Sequence, residues 1–167
     1  EGLICGICNG FQALIKLGLV PYGKIMDTDE NCPTLTFNTI ARHQSKIVRT
    51  RIASNKSPWL SMTNVGDVYS VPISHGEGRF IASDDILKTL IENGQVATQY
   101  ADLSGNASMD IEFNPNGSIM AIEGITSPDG RVFGKMGHAE RVGKGLYKNV
   151  LGDYDIKMFA SAVKYFK

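Results

Sequence analysis

Gly6-Ile7-Cys8-Asn9-Gly10 is the stretch of sequence that decides the fold. The apolar run Leu3-Ile4-Cys5 precedes it and is typical of a short buried strand, and apolar residues then recur at helical spacing between Phe11 and Leu19. A cysteine between a strand and a helix, flanked by glycines, has the pattern of a nucleophile elbow in the cysteine form of G-x-S-x-G. The sequence therefore predicts an α/β sheet with a thiol held at the end of a strand.

Cys8 is the candidate nucleophile. We expect both Gly6 and Gly10 to be required, because the tight turn brings backbone against backbone and leaves no space for a Cβ atom. The position of Cys8 at a helix N-terminus favours the thiolate, since the helix dipole and its free N–H groups stabilise negative charge. The same five residues also fit a structural glycine-rich turn around a core cysteine, because cysteine is often buried.

His138 and Glu140 are the candidate partners of the thiol, because a cysteine nucleophile needs a base and the base needs an orienting group. His138 follows the predicted strand 131–136, at the carboxyl end where open α/β sheets place their sites. Residues i and i+2 of an extended segment project to the same side, so Glu140 can accept the imidazole N–H and leave the other nitrogen to Cys8. Taken alone, this pair also fits a surface histidine with an acidic neighbour.

The remaining pattern indicates one α/β domain with an antiparallel insertion in its second half. A helix is predicted after Ser83, with acidic residues in its first turn and Gly94 as its C-terminal cap. A last helix is predicted over 154–166, with Ile156, Phe159, Ala160 and Val163 on one face. Strands are predicted near residues 35–37, 46–52, 68–74, 95–100, 109–113, 119–124 and 131–136.

Composition limits the function classes. The 17 basic and 17 acidic residues cancel, so no net field favours nucleic acid, and no apolar run approaches the roughly 20 residues that span a bilayer. We expect no nucleic-acid or membrane partner. Three cysteines in unrelated contexts do not suggest a disulfide framework, and without an export signal the cytoplasm is the expected location. Because the sequence opens inside a predicted strand, we expect a piece of a longer polypeptide and an unpaired edge on that strand.

Four motifs carry a family resemblance: residues 6–12 (GICNGFQ), 74–80 (SHGEGRF), 114–118 (NPNGS) and 137–141 (GHAER). The first resembles the elbow of the class I (triad) glutamine amidotransferases. The second is similar to the His-Gly-Glu-Gly-Arg signature of the glutaminase domain of phosphoribosylformylglycinamidine synthases, and the other two resemble further signatures of that domain. They stand in the family's order and cover nearly the whole chain.

The resemblance implies a three-layer, flavodoxin-like α/β fold. Residues 1–167 would be the C-terminal part of a glutaminase domain, with its N-terminal strands missing. Cys8 would attack the side-chain amide of glutamine, His138 would act as acid and base, and Glu140 would complete the triad. The backbone N–H of Asn9 and a second donor from an earlier loop would hold the oxyanion. The family usually has proline where this chain has Ala139. Without the fixed φ of proline, the backbone between His138 and Glu140 is less rigid, but both side chains are kept.

The resemblance also implies a substrate pocket and a partner. Gln12, His75, Glu77 and Arg79 are the expected glutamine-binding residues, and no metal or cofactor is expected in this domain. Ammonia would pass to a synthetase domain or subunit, where ATP and Mg would serve the activation of formylglycinamide ribonucleotide in purine biosynthesis.

Three alternatives remain open from the residues. A cysteine peptidase or amidase shares the elbow and the His-x-Glu pair. Sister amidotransferases that serve GMP, CTP, anthranilate or carbamoyl phosphate synthesis share the triad but lack the residue 75–79 signature. A catalytically silent interaction domain of a larger enzyme is the alternative from another class.

Several residues have an ordinary structural interpretation. The 75–79 motif could be only a tight loop, and residues 114–117 form the pattern of a hairpin turn, with contact to a partner domain as the alternative. His43 is expected to be an ordinary, partly exposed histidine. Cys5 and Cys32 are expected to be inert.

Overall fold

The computed structural model describes residues 2–167. Its helical segments are α1 (Asn9–Lys16), the short α2 (Leu19–Tyr22), α3 (Asp84–Glu92) and α4 (Met158–Tyr165), with 3-10 turns at Pro58–Leu60 and Ile119–Ala121. Its strands are β1 (Ile4–Ile7), β2 (Thr34–Thr36), β3 (Gln44–Ile52), β4 (Val68–His75), β5 (Arg79–Ile81), β6 (Val96–Tyr100), β7 (Ile122–Thr126) and β8 (Val132–Lys135). Six strands form one sheet in the order β1-β8-β7-β6-β3-β4, and β2 pairs with β5 separately.

The pairing of β1 with β8 sets the geometry of the site. These two strands run parallel, with Gly6 opposite Gly134 and Ile7 opposite Lys135, whereas the other pairs of the sheet are antiparallel. Parallel strands end at the same edge of a sheet. The residues that follow β1 and β8 are therefore neighbours, although about 130 positions separate them in sequence.

The sheet has a helical layer on each face. Val132 and Phe133 are successive residues of β8, so their side chains point to opposite faces. Val132 packs into a cluster with α1 and α3, whereas Phe133 packs into a cluster with Trp59 and Met158. This arrangement confirms the predicted α/β fold class.

The strand predicted at 109–113 is wrong. The segment is a series of turns: the Asp110 carboxylate accepts the N–H of Glu112 at 2.9 Å, and the Asp110 carbonyl accepts the N–H groups of Phe113 and Asn114 at 3.0 and 2.8 Å. Short polar side chains that bond to the nearby backbone compete with a strand ladder. The next predicted strand, 119–124, begins only at Ile122, after a 3-10 turn.

The last helix is shorter than predicted and buries a different face. It begins at Met158 because the Asp155 carboxylate accepts the N–H of Lys157 at 2.9 Å and Lys157 has a φ of 56°. Its buried residues are Met158 and Ser161, whose hydroxyl accepts the N–H of Met62 at 3.2 Å. Phe159 and Val163, which the sequence places on one apolar face of the helix, are 46% and 56% exposed.

The edge of the sheet at β1 is open. Among residues 2–167, β1 pairs with β8 alone, so one side of its backbone has no strand neighbour, as expected. The side chain of Ile4 is 45% exposed there. No helix in the described part of the chain is long and apolar enough to span a membrane.

Candidate active site

The turn at Cys8 is a strained nucleophile elbow. Cys8 has a φ of 53°, in the left-handed region that non-glycine residues seldom adopt, and its N–H donates to the carbonyl of Lys135 at 2.8 Å. A Cβ on Gly6 would lie 2.6 Å from the carbonyl carbon and oxygen of Gly10, so Gly6 is sterically required. Gly10 faces open space, so the expectation that it too is required on steric grounds is wrong.

The environment of the Cys8 thiol favours the protonated form. Burial raises the pKa of Cys8, the N–H of Asn9 and the charge of Arg141 lower it, and the Glu140 carboxylate raises it. The burial effect is the largest of these. The N–H of Asn9 at the helix N-terminus does favour the thiolate, as expected, but burial outweighs it, so the thiol needs a base to become a nucleophile.

His138 has one ring nitrogen anchored and the other free. Its Nδ1 lies 2.6 Å from Oε1 of Glu140, which confirms the pairing predicted from the i, i+2 spacing. The backbone N–H of His138 donates to the carbonyl of Pro72 at 2.9 Å, which ties the loop after β8 to β4. Nε2 is buried and has no hydrogen-bond partner.

The thiol and the imidazole lie at the same edge of the sheet without a direct hydrogen bond. Cys8 immediately follows β1, and His138 lies three residues beyond the end of the adjacent parallel strand β8. The Cys8 Sγ donates instead to the carbonyl of Ser74, 3.7 Å away. Catalytic hydrogen bonds are often long or absent without substrate and tighten when it binds, so this geometry is compatible with an acid–base pair.

The predicted pocket residues are only partly brought together. The side-chain amide of Gln12 donates to the carbonyl of Glu77, which joins the elbow helix to the loop between β4 and β5. The Glu77 side chain is exposed, and Arg79 is half-buried with an unpartnered Nε. His75 is only 4% exposed, so its side chain lies in the interior and is not available to contact a substrate directly.

The 114–118 motif anchors the 75–80 loop from beneath. The Asn116 amide donates to the carbonyl of Gly78 and to the hydroxyl of Tyr100, both at 2.8 Å, and lies 3.2 Å from Nε2 of His75. The Ser118 hydroxyl accepts the N–H of Phe80 at 3.0 Å. Asn116 and Ser118 are fully buried, which favours a structural role over contact with a partner domain.

The other cysteines and His43 lie apart from this chemistry. Burial raises the pKa of Cys5 to about 12, which makes its thiol inert, as expected. Cys32 is half-buried beside Tyr22 and Asp29. His43 is exposed, and its Nε2 lies 3.0 Å from the Ser74 hydroxyl, a contact that the sequence did not suggest. In residues 2–167, no group of three metal-ligating side chains is arranged to hold a metal ion.

Residues 1–166 match the model of a family described as the CobB/CobQ-like glutamine amidotransferase domain. The chain belongs to this family. The phosphoribosylformylglycinamidine synthase subunit PurQ of Synechocystis sp. is 37% identical to it over 160 residues, which make up 95% of this chain and 63% of that protein. The same subunit of Aquifex aeolicus is 35% identical over 152 residues, or 91% of this chain and 60% of that protein.

A solved structure agrees with these relatives. The structure of PurLQS from Thermotoga maritima matches this glutamine amidotransferase domain with a TM-score of 0.72 and 30% identity, over 99% of this chain and 62% of that one. The fold of the family is thus confirmed. The chain spans between 56% and 63% of the length of the PurQ relatives that it matches.

Two buried residues of this amidotransferase domain were missed by the sequence reasoning. Lys135 and Glu123 form an ion pair, with Nζ 3.0 Å from Oε1, and their side chains are 1% and 0% exposed. The signal was present in the sequence, because each is a charged residue inside a predicted apolar strand, and charged residues are seldom fully buried unless paired.

Proposed function

We propose that this chain is the glutaminase part of a phosphoribosylformylglycinamidine synthase, which hydrolyses glutamine and supplies ammonia for purine biosynthesis. The observation that supports this proposal most strongly is the parallel pairing of β1 with β8. It brings a strained cysteine to the same sheet edge as a histidine whose Nδ1 is held by a carboxylate and whose Nε2 is unoccupied. The similarity to PurQ subunits supports the choice of this synthase among amidotransferases.

In the proposed reaction, Cys8 Sγ attacks the side-chain amide carbon of glutamine while its proton passes to His138. The oxygen of that carbon becomes negatively charged and is stabilised by the N–H of Asn9, which already lies close enough to the sulfur to affect its pKa. The C–N bond then breaks, His138 protonates the departing ammonia, and a thioester remains on Cys8.

The second half of the reaction restores the thiol. A water molecule gives a proton to His138 and attacks the thioester carbonyl, the C–S bond breaks, and the proton returns to the sulfur as glutamate leaves. Glu140 orients the imidazole and stabilises its charged form without exchanging the proton itself.

The proposal includes the surroundings of the reaction. Gln12 and the 76–79 loop would form one wall of the glutamine pocket, since Gln12 already bonds to the Glu77 carbonyl. A synthetase domain or subunit that uses ATP and Mg would receive the ammonia, in the cytoplasm.

The experiment separates ammonia supply from ammonia use. In the full-length protein with its synthetase, Cys8→Ala should abolish synthesis from glutamine and leave synthesis from added ammonium largely unchanged. Cys5→Ala, which removes the half-buried cysteine of β1 just before the elbow, is the matched control and should retain both activities. Loss of both activities in Cys8→Ala, or persistence of glutamine-dependent synthesis, would contradict the proposal.

A further inference from the structure

The loop between β8 and His138 is held by a buried ion pair. The Glu123 Oε1 accepts the N–H of Gly137 at 2.6 Å, and Lys135 Nζ donates to the carbonyl of Gly137 at 3.0 Å. The same Oε1 lies 3.0 Å from Nζ, and the second carboxylate oxygen accepts the hydroxyl of Thr98. The ion pair thus bonds both polar backbone groups of the residue before His138, and the carbonyl also accepts the N–H of Ala139 at 3.0 Å.

The topology explains why side chains perform this task. The ladder between β7 and β8 pairs Gly124 with Lys135, and its last bond joins the N–H of Met136 to the carbonyl of Glu123 at 3.1 Å. Gly137 lies one residue further, where no strand remains beside it to accept or donate. Because Gly137 is buried, its two backbone groups need other partners. Glu123 accepts the N–H, and the carbonyl accepts both Lys135 Nζ and the N–H of Ala139.

We propose that Glu123 and Lys135 are positioning residues of the glutaminase reaction, and that they act through Gly137 to fix His138 against Cys8. This inference rests on the proposed function for its catalytic consequence. Three constraints converge on the histidine: the ion pair fixes the peptide before it, Pro72 accepts its own N–H, and Glu140 holds Nδ1. Only Nε2 is left free, and it keeps one place relative to the elbow.

If the ion pair only stabilised the fold, its removal should have a different effect on turnover. Replacing a buried pair by neutral residues is often neutral or favourable for stability, whereas removing one partner leaves a buried charge unpaired. The double variant Glu123→Gln/Lys135→Met removes both charges, keeps an acceptor for the Gly137 N–H and deletes the Lys135 donor to the Gly137 carbonyl, which retains the N–H of Ala139. If the pair serves stability alone, this variant should retain full turnover.

The test measures two quantities in the same full-length protein: the turnover rate, and the proton resonance of the hydrogen bond between His138 and Glu140. We expect the double variant to fold with a thermal midpoint close to the wild type, to lose about 10- to 100-fold in kcat with little change in KM, and to show a shifted or broadened proton resonance for the hydrogen bond between His138 and Glu140. Thr98→Val, which removes the other contact of the same carboxylate, is the control and should keep kcat and the resonance. A folded double variant with wild-type kcat and an unchanged resonance would overturn the proposal.

A measurement on the unmodified protein covers the case in which the variant does not fold. Amide hydrogen exchange at Gly137 should be as slow as in the strands, because its N–H is held by a buried carboxylate. Exchange as fast as in an exposed loop would contradict the proposal that Glu123 and Lys135 fix Gly137. Neither the resonance nor the exchange rate depends on activity. If wild type and Cys8→Ala release glutamate at the same rate, the proposed function fails. The proposal that Glu123 and Lys135 fix the position of His138 is then still tested by the proton resonance and the exchange rate.

Discussion

Glu140 Oε1 lies 2.6 Å from Nδ1 of His138, whereas Nε2 of the same ring is buried and has no hydrogen-bond partner. A carboxylate at Nδ1 fixes the tautomer with the proton on that nitrogen and leaves Nε2 as an acceptor. A buried nitrogen without a hydrogen-bond partner lowers the stability of the protein, so such atoms are rare and often have a catalytic role. The Cys8 thiol and the leaving amine of a substrate are the groups that would use it in turn.

Truncating the two members of this pair should have unequal effects. His138→Ala removes the acid–base group and should lower kcat for glutamine hydrolysis by about 10²- to 10⁴-fold. Glu140→Ala leaves the imidazole in place without its orienting partner, so its loss should be smaller. Initial rates of glutamate release measure both, with Glu92→Ala on the exposed face of α3 as the control. A larger loss in Glu140→Ala than in His138→Ala would contradict the assigned roles.

The reactivity of Cys8 should depend on pH in a particular way. Because burial raises the pKa of its thiol, the thiolate fraction should still be increasing above pH 9 in the absence of substrate. Alkylation by iodoacetamide, followed by mass spectrometry between pH 6 and 10 in roughly one-unit steps, should rise throughout this range. A plateau below pH 7 would indicate a preformed thiolate–imidazolium pair instead.

A glutamine analogue should distinguish the three cysteines. A diazo-ketone analogue binds where glutamine binds and alkylates the nucleophile, so it should label Cys8 and spare Cys5 and Cys32. The pKa of Cys5, raised to about 12 by burial, makes its labelling negligible at neutral pH. Peptide mapping of the labelled full-length protein identifies the site. Labelling at Cys32 would contradict the assignment of the nucleophile.

His75 should make the fold sensitive to acid. Burial lowers its pKa from 6.5 to about 4, so the unfolded chain binds a proton that the folded protein excludes between these values. Its contribution to stability is therefore complete above about pH 6.5 and is lost as the pH falls toward 4. The difference corresponds to about 3 kcal/mol. Urea unfolding of wild type and His75→Gln should show a smaller pH dependence for the variant in this window. Equal slopes would show that His75 does not titrate in this way.

The sequence predicted the elbow and the pairing of His138 with Glu140 better than the loops around them. A strand, a glycine-flanked cysteine and a helix are local patterns, and the spacing of His138 and Glu140 defines their pairing by itself. What failed depended on tertiary context. The burial of Cys8 outweighs the helix N-terminus, and the face of α4 that is buried was decided by its packing on Trp59.

The interior polar networks escaped prediction for a related reason. Asn116 sits in a sequence that is typical of a surface turn, yet it is fully buried because the 75–80 loop folds over it. Glu123 and Lys135 are on neighbouring strands, and only the register of β7 and β8 brings them together. Such pairings depend on contacts distant in sequence, which no local pattern encodes.

Truncating Asn116 should destabilise the protein more than truncating an exposed asparagine. Asn116→Ala removes the donor to Gly78 and to the Tyr100 hydroxyl, and leaves both inside the protein without that partner. The free energy of unfolding should fall by about 2–4 kcal/mol. Asn106→Ala, at an exposed position of the neighbouring turn, should change it by less than about 0.5 kcal/mol. Similar losses in both variants would indicate that the network contributes little.

The open edge of β1 should cause the chain of residues 1–167 to self-associate. One side of its backbone has no strand partner in the described residues, and Ile4 presents an apolar side chain there that is 45% exposed. Unpaired apolar edges promote strand pairing between molecules, and a lysine on such an edge opposes it because association would bury its charge. Sedimentation velocity at increasing concentration should therefore show association for the wild type and less for Ile4→Lys. Ile25→Lys, at a position that is 73% exposed and lies outside the strands, is the matched control and should associate like the wild type. If both lysine variants reduce association equally, the association is caused by general surface hydrophobicity and not by the edge of β1. A wild type that stays monomeric at high concentration would contradict the prediction itself.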